Sequence, residues 1–349
     1  MDRGCGRKGT RDTLYKGGSK NQYIRREEME ISGKTVLITG GTGQIGCHIA
    51  EQLLEEDVKK IIIFDNLSLN TENNINDISK HSKIDIFKGD ITKRDDLRRA
   101  FKGVDCVFHL ASLMTLHSHT NPRSLLDVNI NGTYNVLEAC QEGGAQKIIL
   151  SSTHSVYGVP MTDPITEEHP LNHRSMYGAT KVAAEQLCQA FRGLCGLDYV
   201  ILRYATVYGD RQHKRGRNSK FLLDTIEQIE RGEPPVIYGD GTRSLNLIFV
   251  GDVARANILA LKSGLVDESF LIAAGEDYTE EQVVQLLLEL MGATLTPQYR
   301  PGGQAIEKHR FCVEKAERLL RFRAEITLRE GLIKLIRWYR AGRQATNTL

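Results

Sequence analysis

No stretch of the 349-residue chain is apolar for long enough to cross a membrane, so a soluble globular protein is expected. An excess of charge of either sign is missing too. Against 44 Asp and Glu stand 46 Lys and Arg, a formal net charge of +2, too near balance for nucleic acid to be a general partner. No Cys-x-x-Cys pair occurs among Cys5, Cys47, Cys106, Cys140, Cys188, Cys195 and Cys312, and their number is odd. That pattern excludes a disulfide framework and fits reduced thiols in the cytoplasm; no metal site is expected. Residues 1–33 have neither a sustained hydrophobic period nor the apolar core of a signal peptide, and are rich in Arg, Lys, Gly and Ser. They read as a disordered or weakly ordered extension.

What is present starts at Thr35-Val-Leu-Ile-Thr39, a β-branched run that breaks into Gly40-Gly-Thr-Gly43-Gln-Ile-Gly46 and then into a helical pattern. The stretch reads as strand, tight turn and helix start. Gly40 suits the turn, Gly43 lets a pyrophosphate approach the main chain, and Gly46 lets the helix lie close on the strand. The N–H groups of that helix end would face the phosphates. Roughly 20 residues on, a second buried-strand candidate, 61–64, ends in Asp65. A carboxylate there accepts hydrogen bonds from an adenosine ribose and repels a 2′-phosphate, which points to NAD rather than NADP.

From residue 35 to about 203, short apolar runs alternate with amphipathic segments, the pattern of an α/β protein whose parallel sheet carries helices on both faces. Strands are expected at 36–39, 61–64, 84–88, 104–109, 147–152 and 199–203, and helices at 43–55, 94–101, 122–142 and 175–194. Asp90 and Ile91 follow the third strand, where a side chain and a backbone group would meet an adenine edge. Leu110, Ala111 and Ser112 follow the fourth, at the carboxyl edge where open α/β sheets bind ligands. Further on, the spacing predicts an amphipathic helix over 279–291 with Val283, Leu286, Leu287 and Leu290 on one face, and a last helix over 328–340.

The chemistry is expected from two later stretches. Tyr177-Gly-Ala-Thr-Lys181 places a phenol and an ammonium one helical turn apart on the same face. A nearby lysine favours the phenolate, and a positive nicotinamide ring would act in the same direction, so Tyr177 is the expected base near neutral pH. Thr153, closing the strand before it, would share a hydrogen bond with the same substrate hydroxyl.

Taken together these residues resemble the NAD-dependent epimerase/dehydratase family of nucleotide-sugar enzymes, extended short-chain dehydrogenases, over about residues 34–340. The resemblance is carried by Thr39-Gly-Gly-Thr-Gly-Gln-Ile-Gly46, Asp65-Asn-Leu-Ser68, Gly89-Asp90, His109-Leu-Ala111, Asn129-Ile-Asn-Gly-Thr133, Ser151-Ser-Thr153 with Val156-Tyr-Gly158, Tyr177 with Lys181, and Arg203-Tyr204 with Val207-Tyr-Gly209. It implies a Rossmann domain at 34–205, its sheet completed by part of 235–275, and a smaller, mainly substrate-binding α/β domain at 206–349. It implies catalysis by Thr153, Tyr177 and Lys181. NAD would be held by Gly40, Gly43, Gln44, Ile45, Gly46, Asp65, Asn66, Asp90, Ile91, Leu110, Ala111, Ser112, Asn129, Ser151, Tyr177, Lys181 and Tyr204. A homodimer joined through the helices at 122–142 and 175–194 is implied as well.

Two positions depart from the family pattern. Thr206 stands where Asn is usual, and Leu245 where an Arg usually pairs with the nucleotide phosphates. Losing that charge-assisted contact costs ~1.5–3 kcal/mol unless another cation substitutes. Arg243, two residues earlier on the same strand face, and the cluster Arg211, His213, Lys214, Arg215 and Arg217 are the supply, with Arg243 and Arg211 expected to bind substrate beside Thr153 and Thr206. Reaction type is partly legible after Thr153. The family's dehydratases carry an acid pair there and its decarboxylases a Glu at the second position, whereas this chain has His154 and Ser155, as its 4-epimerases have a small hydroxyl residue. The reading is a nucleotide-sugar 4-epimerase working through a transient keto-sugar. The alternatives are an NAD-dependent dehydrogenase or reductase of another sugar or small alcohol, which Leu245 and Thr206 favour, and a non-catalytic NAD-binding scaffold, which intact Thr153, Tyr177 and Lys181 oppose.

Overall fold

Seven strands pair side by side, all parallel, the central ones apolar toward both faces and covered by helices on both, while the edge strand at Ile84–Lys88 is largely exposed. They are β1 (Thr35–Thr39), β2 (Lys60–Asp65), β3 (Ile84–Lys88), β4 (Cys106–His109), β5 (Lys147–Thr153), β6 (Asp198–Tyr204) and β7 (Glu268–Ile272). The spatial order is β7-β6-β5-β4-β1-β2-β3, a doubly wound Rossmann sheet with its switch point between β1 and β4. The computed structural model describes residues 27–69, 71–114, 121–214, 216–302 and 310–342, and the backbone alone at 13–16, 22–25 and 343–346. Cys5 and Arg215 lie outside the described residues; the other six cysteines are free thiols.

Period-two alternation decides which face each side chain joins. Val36, Ile38, Ile61, Ile63, Val200 and Leu202 enter one core with Ile49 and Leu53 of α1 (Gln44–Leu54). Leu37, Ile62, Phe64, Tyr199 and Ile201 enter the other with α2 (Arg94–Ala100), α3 (Thr133–Gly143) and α4 (Met176–Cys195). A third core sits apart from the main sheet, between α5 (Arg217–Glu230), α7 (Glu280–Met291) and α8 (Leu328–Thr346), while α6 (Val250–Lys262) belongs to the first. Strand pairing joins this part to the main sheet's far end: Leu247–Phe249 runs parallel to Thr206–Tyr208, directly after β6. No helix among the described residues is long and apolar enough to cross a membrane.

The fold differs from the sequence expectation at three places. Backbone at 13–16 and 22–25 forms an antiparallel hairpin whose second strand pairs with Leu265–Val266, so these residues are not unstructured. Main-chain pairing at a free strand edge needs no apolar period, which is why the period did not reveal it. The ordered chain also begins before residue 34: Met29 donates its N–H to Lys262 O at 2.9 Å, and Ile31 is buried. Finally, the helix expected over 122–142 is not uniform. Pro122–Leu125 passes into a π-helical segment, Leu126–Gly132, before α3, and a Cβ on Gly132 would stand 2.6 Å from Ile91 Cδ1. Such widened turns accompany functional sites, and this one carries Asn129.

Candidate active site

Parallel registry brings Thr39, Asp65, His109, Thr153 and Tyr204 to the carboxyl edge of the sheet. Gly40 turns the chain there with φ +68°, and a Cβ at that position would lie 2.8 Å from Ala111 N. Only glycine fits. Gly46 is just as constrained, since its Cβ would approach Gly40 O to 2.5 Å. Between them Gly43 is the N-cap of α1, which has no side-chain cap and no acidic residue in its first turn, so the N–H groups starting at Gln44 and Ile45 meet no internal anion.

Asp65 is fixed over this turn by two backbone donors, Thr42 N at 3.2 Å and Leu67 N at 2.9 Å. Asn66 Nδ2 donates to Asp90 Oδ2 at 3.3 Å, and the other Asp90 oxygen accepts from Thr92 N and Oγ1 at 2.9 and 2.8 Å. Burial works to raise the Asp90 carboxyl, but the Thr92 and Asn66 donors outweigh it and hold the group below its usual range. Ile91 is buried and its carbonyl accepts from Asn135 at 3.0 Å. Gln44 reaches the other way, donating to the carbonyls of Gly209 and Asp210, both at 3.2 Å, and so ties the start of α1 to the loop after Thr206–Tyr208.

A buried relay runs from the glycine turn to the helix bearing Tyr177. Thr133 Oγ1 donates to Asn129 O at 2.6 Å, so its proton is spent and it accepts from His109 Nε2 at 2.9 Å. His109 is therefore the Nε2–H tautomer, and its Nδ1 accepts from Thr39 Oγ1 at 2.7 Å. Thr39 Oγ1 in turn accepts the N–H groups of Leu110 and Ala111, each at 3.2 Å. Asn129 bridges onward: its amide accepts from Leu113 N at 2.8 Å and donates to Leu113 O and Thr180 Oγ1, both at 3.0 Å. Burial pushes His109 down to about 3, with the Lys181 charge adding to the shift, so the ring is neutral.

Ser175 caps α4 through Gly178 N at 3.0 Å, which sets Tyr177 in the first turn and Lys181 one turn on. Tyr177 is half-buried, and that burial pushes its phenol up to about 12 against a side-chain hydrogen bond with Thr153. Lys181 is pushed down by burial to about 8, with Glu185 opposing. In the protein alone desolvation is the larger effect on both groups. Ser151 and Tyr204 meet each other at 2.9 Å, and the Tyr204 hydroxyl donates to Asn257 at 3.0 Å. Ser112 adjoins the relay at the edge of β4, half-buried.

In the second part of the chain, Arg243 donates from Nε to Glu280 Oε1 at 2.6 Å and from Nη1 to Asn218 Oδ1 at 2.8 Å, while Asn218 Nδ2 donates to Thr206 Oγ1 at 3.1 Å. Thr206 and Arg243 thus belong to one cluster, joined through Asn218. Leu245 does not. Paired with Tyr278 and only 3% exposed, it is part of the third apolar core. Arg211 is placed elsewhere, against α1, where Nη1 donates to Cys47 Sγ at 3.4 Å and the guanidinium faces Glu51 at 2.5 Å. Asn218 and Glu280 were not singled out from the sequence, because partners 25 and 37 residues from Arg243 leave no local signal.

A family model described as the NAD dependent epimerase/dehydratase family matches residues 36–273. A protein of Methanocaldococcus jannaschii named putative UDP-glucose 4-epimerase is 33% identical over 87% of this chain and 97% of its own length. Among solved structures, the UDP-glucose 4-epimerase of Thermotoga maritima with UDP-glucose superposes with a TM-score of 0.82 at 32% identity, covering 88% of this chain and 99% of that one. The UDP-glucuronic acid 4-epimerase of Bacillus cereus in complex with NAD gives 0.80 at 26% identity, covering 88% and 99%. With more than half its length under the family model, the glycine turn joined to Asp65, and Tyr177 one turn before Lys181, the chain belongs to the NAD-dependent epimerase/dehydratase family.

Proposed function

We propose that the protein is an NAD-dependent nucleotide-sugar 4-epimerase. The observation that carries the reading is the meeting of Thr153, Tyr177 and Lys181 at the same sheet edge as the uncapped α1 and Asp65. The residues fit the cofactor: glycines that no side chain can replace admit a pyrophosphate, and the Asp65 carboxylate, held by two backbone donors, faces a ribose diol. NAD, when bound, takes a hydride from the sugar carbon and gives it back on the other face.

The chain's own residues move and hold the proton. Tyr177 Oη removes it from the substrate hydroxyl and Thr153 Oγ1 shares the hydrogen bond. Because burial alone would leave the phenol protonated at neutral pH, positive charge must offset it; Lys181, mostly ammonium below about pH 8, is the residue that supplies it. Arg243, in contact with the Thr206 cluster, is the residue proposed to meet the substrate phosphates; Arg211, bound to α1, acts through the position of that helix if it acts at all. A cytoplasmic homodimer through α3 and α4 completes the reading, supported by Tyr134 and Leu194, which stand 45% and 71% exposed on those helices.

One observation favours the second reading, a dehydrogenase: Glu280 already neutralises Arg243, which leaves the cleft poorer in free positive charge than a diphosphate requires. Incubation with NAD and UDP-sugars separates the two. The 4-epimer should accumulate at constant NADH absorbance; NADH growing in step with a keto product refutes the epimerase.

A further inference from the structure

Behind Lys181 lies a charged group that the proposed proton transfer does not touch. Glu185 follows Lys181 by four residues on α4, so both side chains project from one helix face a turn apart. Its side chain is wholly buried, 0% exposed. Arg203 on β6 clamps both carboxylate oxygens, from Nε at 3.1 and 3.2 Å and from Nη2 at 2.7 Å, and Ser152 Oγ donates to Oε1. Arg203 is held from its far side by the Tyr157 hydroxyl and the Glu167 carbonyl, both at 3.0 Å. A guanidinium fork matched to both oxygens is the strongest pairing a carboxylate makes. As a source of stability such a pair is weak, since desolvating two charges offsets most of their attraction.

Its place beside Lys181 gives it another use. Two other titratable groups act on that ammonium: His109 at the end of β4, neutral because burial pushes it down to about 3, and the Cys188 thiol on α4, which burial pushes up to about 12; the Tyr177 phenol stands one helical turn before it. Glu185 is thus the full negative charge acting on Lys181 among the described residues, and it opposes the desolvation of the ammonium.

We infer that Glu185 is a positioning residue for the proposed proton transfer: clamped by Arg203 and Ser152, its carboxylate keeps Lys181 an ammonium beside Tyr177 and so sets the alkaline end of the pH range in which the enzyme works. The inference rests on the roles proposed above for Tyr177 and Lys181.

The test is the pH profile of kcat/KM, with saturating NAD, for the full chain and for Glu185→Gln and Arg203→Gln. Removing the carboxylate charge moves the alkaline limb of E185Q to lower pH by about one unit, a ten-fold loss of rate above the limb with little loss below it. Removing the guanidinium takes away the partner that offsets the burial of the carboxylate, which favours its neutral form, so R203Q moves the limb to lower pH as well. Displacements of the same sign from the carboxylate and from its clamp, with little loss of rate below the limb, cannot come from loosened packing. A uniform fall in rate and melting temperature at every pH, with the limb in place, overturns the inference. Should a buried-charge variant fail to fold, Ser152→Ala removes only one donor from the carboxylate; it moves the limb to lower pH by less than E185Q does, and an unmoved limb again overturns the proposal. Lys181→Met separates the two levels: if it keeps a wild-type alkaline limb, the role given to Lys181 fails, and if it loses the limb while E185Q leaves it unmoved, only the role of Glu185 fails.

Discussion

Acidification should destabilise this fold through His109 in a way that one substitution can isolate. The ring is buried, accepting from Thr39 and donating to Thr133. A second proton must go on Nδ1, opposite a hydroxyl that already accepts two backbone N–H groups, so the new N–H finds no free acceptor. Burial first and the Lys181 charge second push the ring down to about 3 from the ordinary 6.5, and the lack of an acceptor opposes protonation in the same direction. Because the folded value is the lower one, the unfolded chain binds the proton first. The contribution is fully present above pH 6.5 and is lost as pH falls toward 3. Each unit in that window costs up to about 1.4 kcal/mol, so His109 alone removes about 3 kcal/mol between pH 6.5 and about pH 4. Carboxylates add their own dependence, and comparison with His109→Gln subtracts it. Denaturant unfolding followed by circular dichroism should find H109Q less stable by about 1–3 kcal/mol at neutral pH, from imperfectly replaced hydrogen bonds, but with a flatter pH slope by nearly one proton. The two curves should meet between about pH 6 and about pH 4, the lower the larger the deficit at neutral pH. Parallel curves would refute both the neutral tautomer and the linkage argument.

Three further outcomes are expected. NAD should bind far more tightly than NADP because the fixed Asp65 carboxylate repels a 2′-phosphate, and Asp65→Asn should narrow the gap in a calorimetric titration; equal affinities in the unmodified protein would remove Asp65 from the ribose. Tyr177→Phe should abolish turnover with fold and NAD binding nearly intact, whereas Lys181→Ala should damage both; a Y177F rate close to the original would show that the base is another group. Arg243→Ala should raise KM for a nucleotide sugar about ten-fold, equivalent to ~1.4 kcal/mol, and should also cost about 3 kcal/mol of stability by leaving Glu280 buried without its partner. Adding Glu280→Gln should restore the stability and leave KM high; if it restores KM as well, Arg243 is structural and does not meet the substrate.

Much of the sheet was legible because its strands carry their own signal. Apolar runs bounded by glycine and charge located β1 to β6 to within a residue or two, since a strand buried on both faces has to be apolar at nearly every position. The helix at Glu280–Met291 announced itself through its leucines and valines, and its Thr279 cap forms a reciprocal pair with Gln282. There the stripe was misjudged by one step. Val283 and Leu287 are buried as expected, but Val284 and Leu288 complete the face and Leu286 and Leu290 are only partly covered, because two neighbouring helices rather than one receive it. Backbone features without a side-chain pattern stayed hidden. The hairpin at 13–16 and 22–25 is held to Leu265–Val266 by main-chain bonds, and the π-helical turn around Asn129 answers to Ile91 lying against Gly132.

The site divides along the same line. Gly40, Gly46, Asp65, Tyr177 and Lys181 could be found because each acts within one turn of chain: a positive φ, a close helix approach, the end of a strand, an i to i+4 pair. What tunes them is assembled across the fold. His109 is neutral because it is buried near Lys181, and its tautomer is set by Thr39 and Thr133, residues 70 and 24 positions away; Lys181 feels Glu185, which is itself held by Arg203 from β6. Spacing sets the phenol and the ammonium one turn apart on α4 and carries no information about how far each is desolvated. Two groups one turn apart in water would stabilise each other's charges, whereas desolvation at this sheet edge shifts both toward neutrality. The same reasoning applies to the substituted arginine. Seen in sequence, Arg243 is a spare cation two residues from Leu245; in the fold, Glu280 and Asn218 occupy its donors, and a phosphate must compete with a carboxylate that has nowhere else to go. A substrate that wins that competition has to displace Glu280 from Arg243 or share the guanidinium with it. Charge balance at this ion pair, more than the number of arginines in the sequence, decides how much negative charge the cleft accepts.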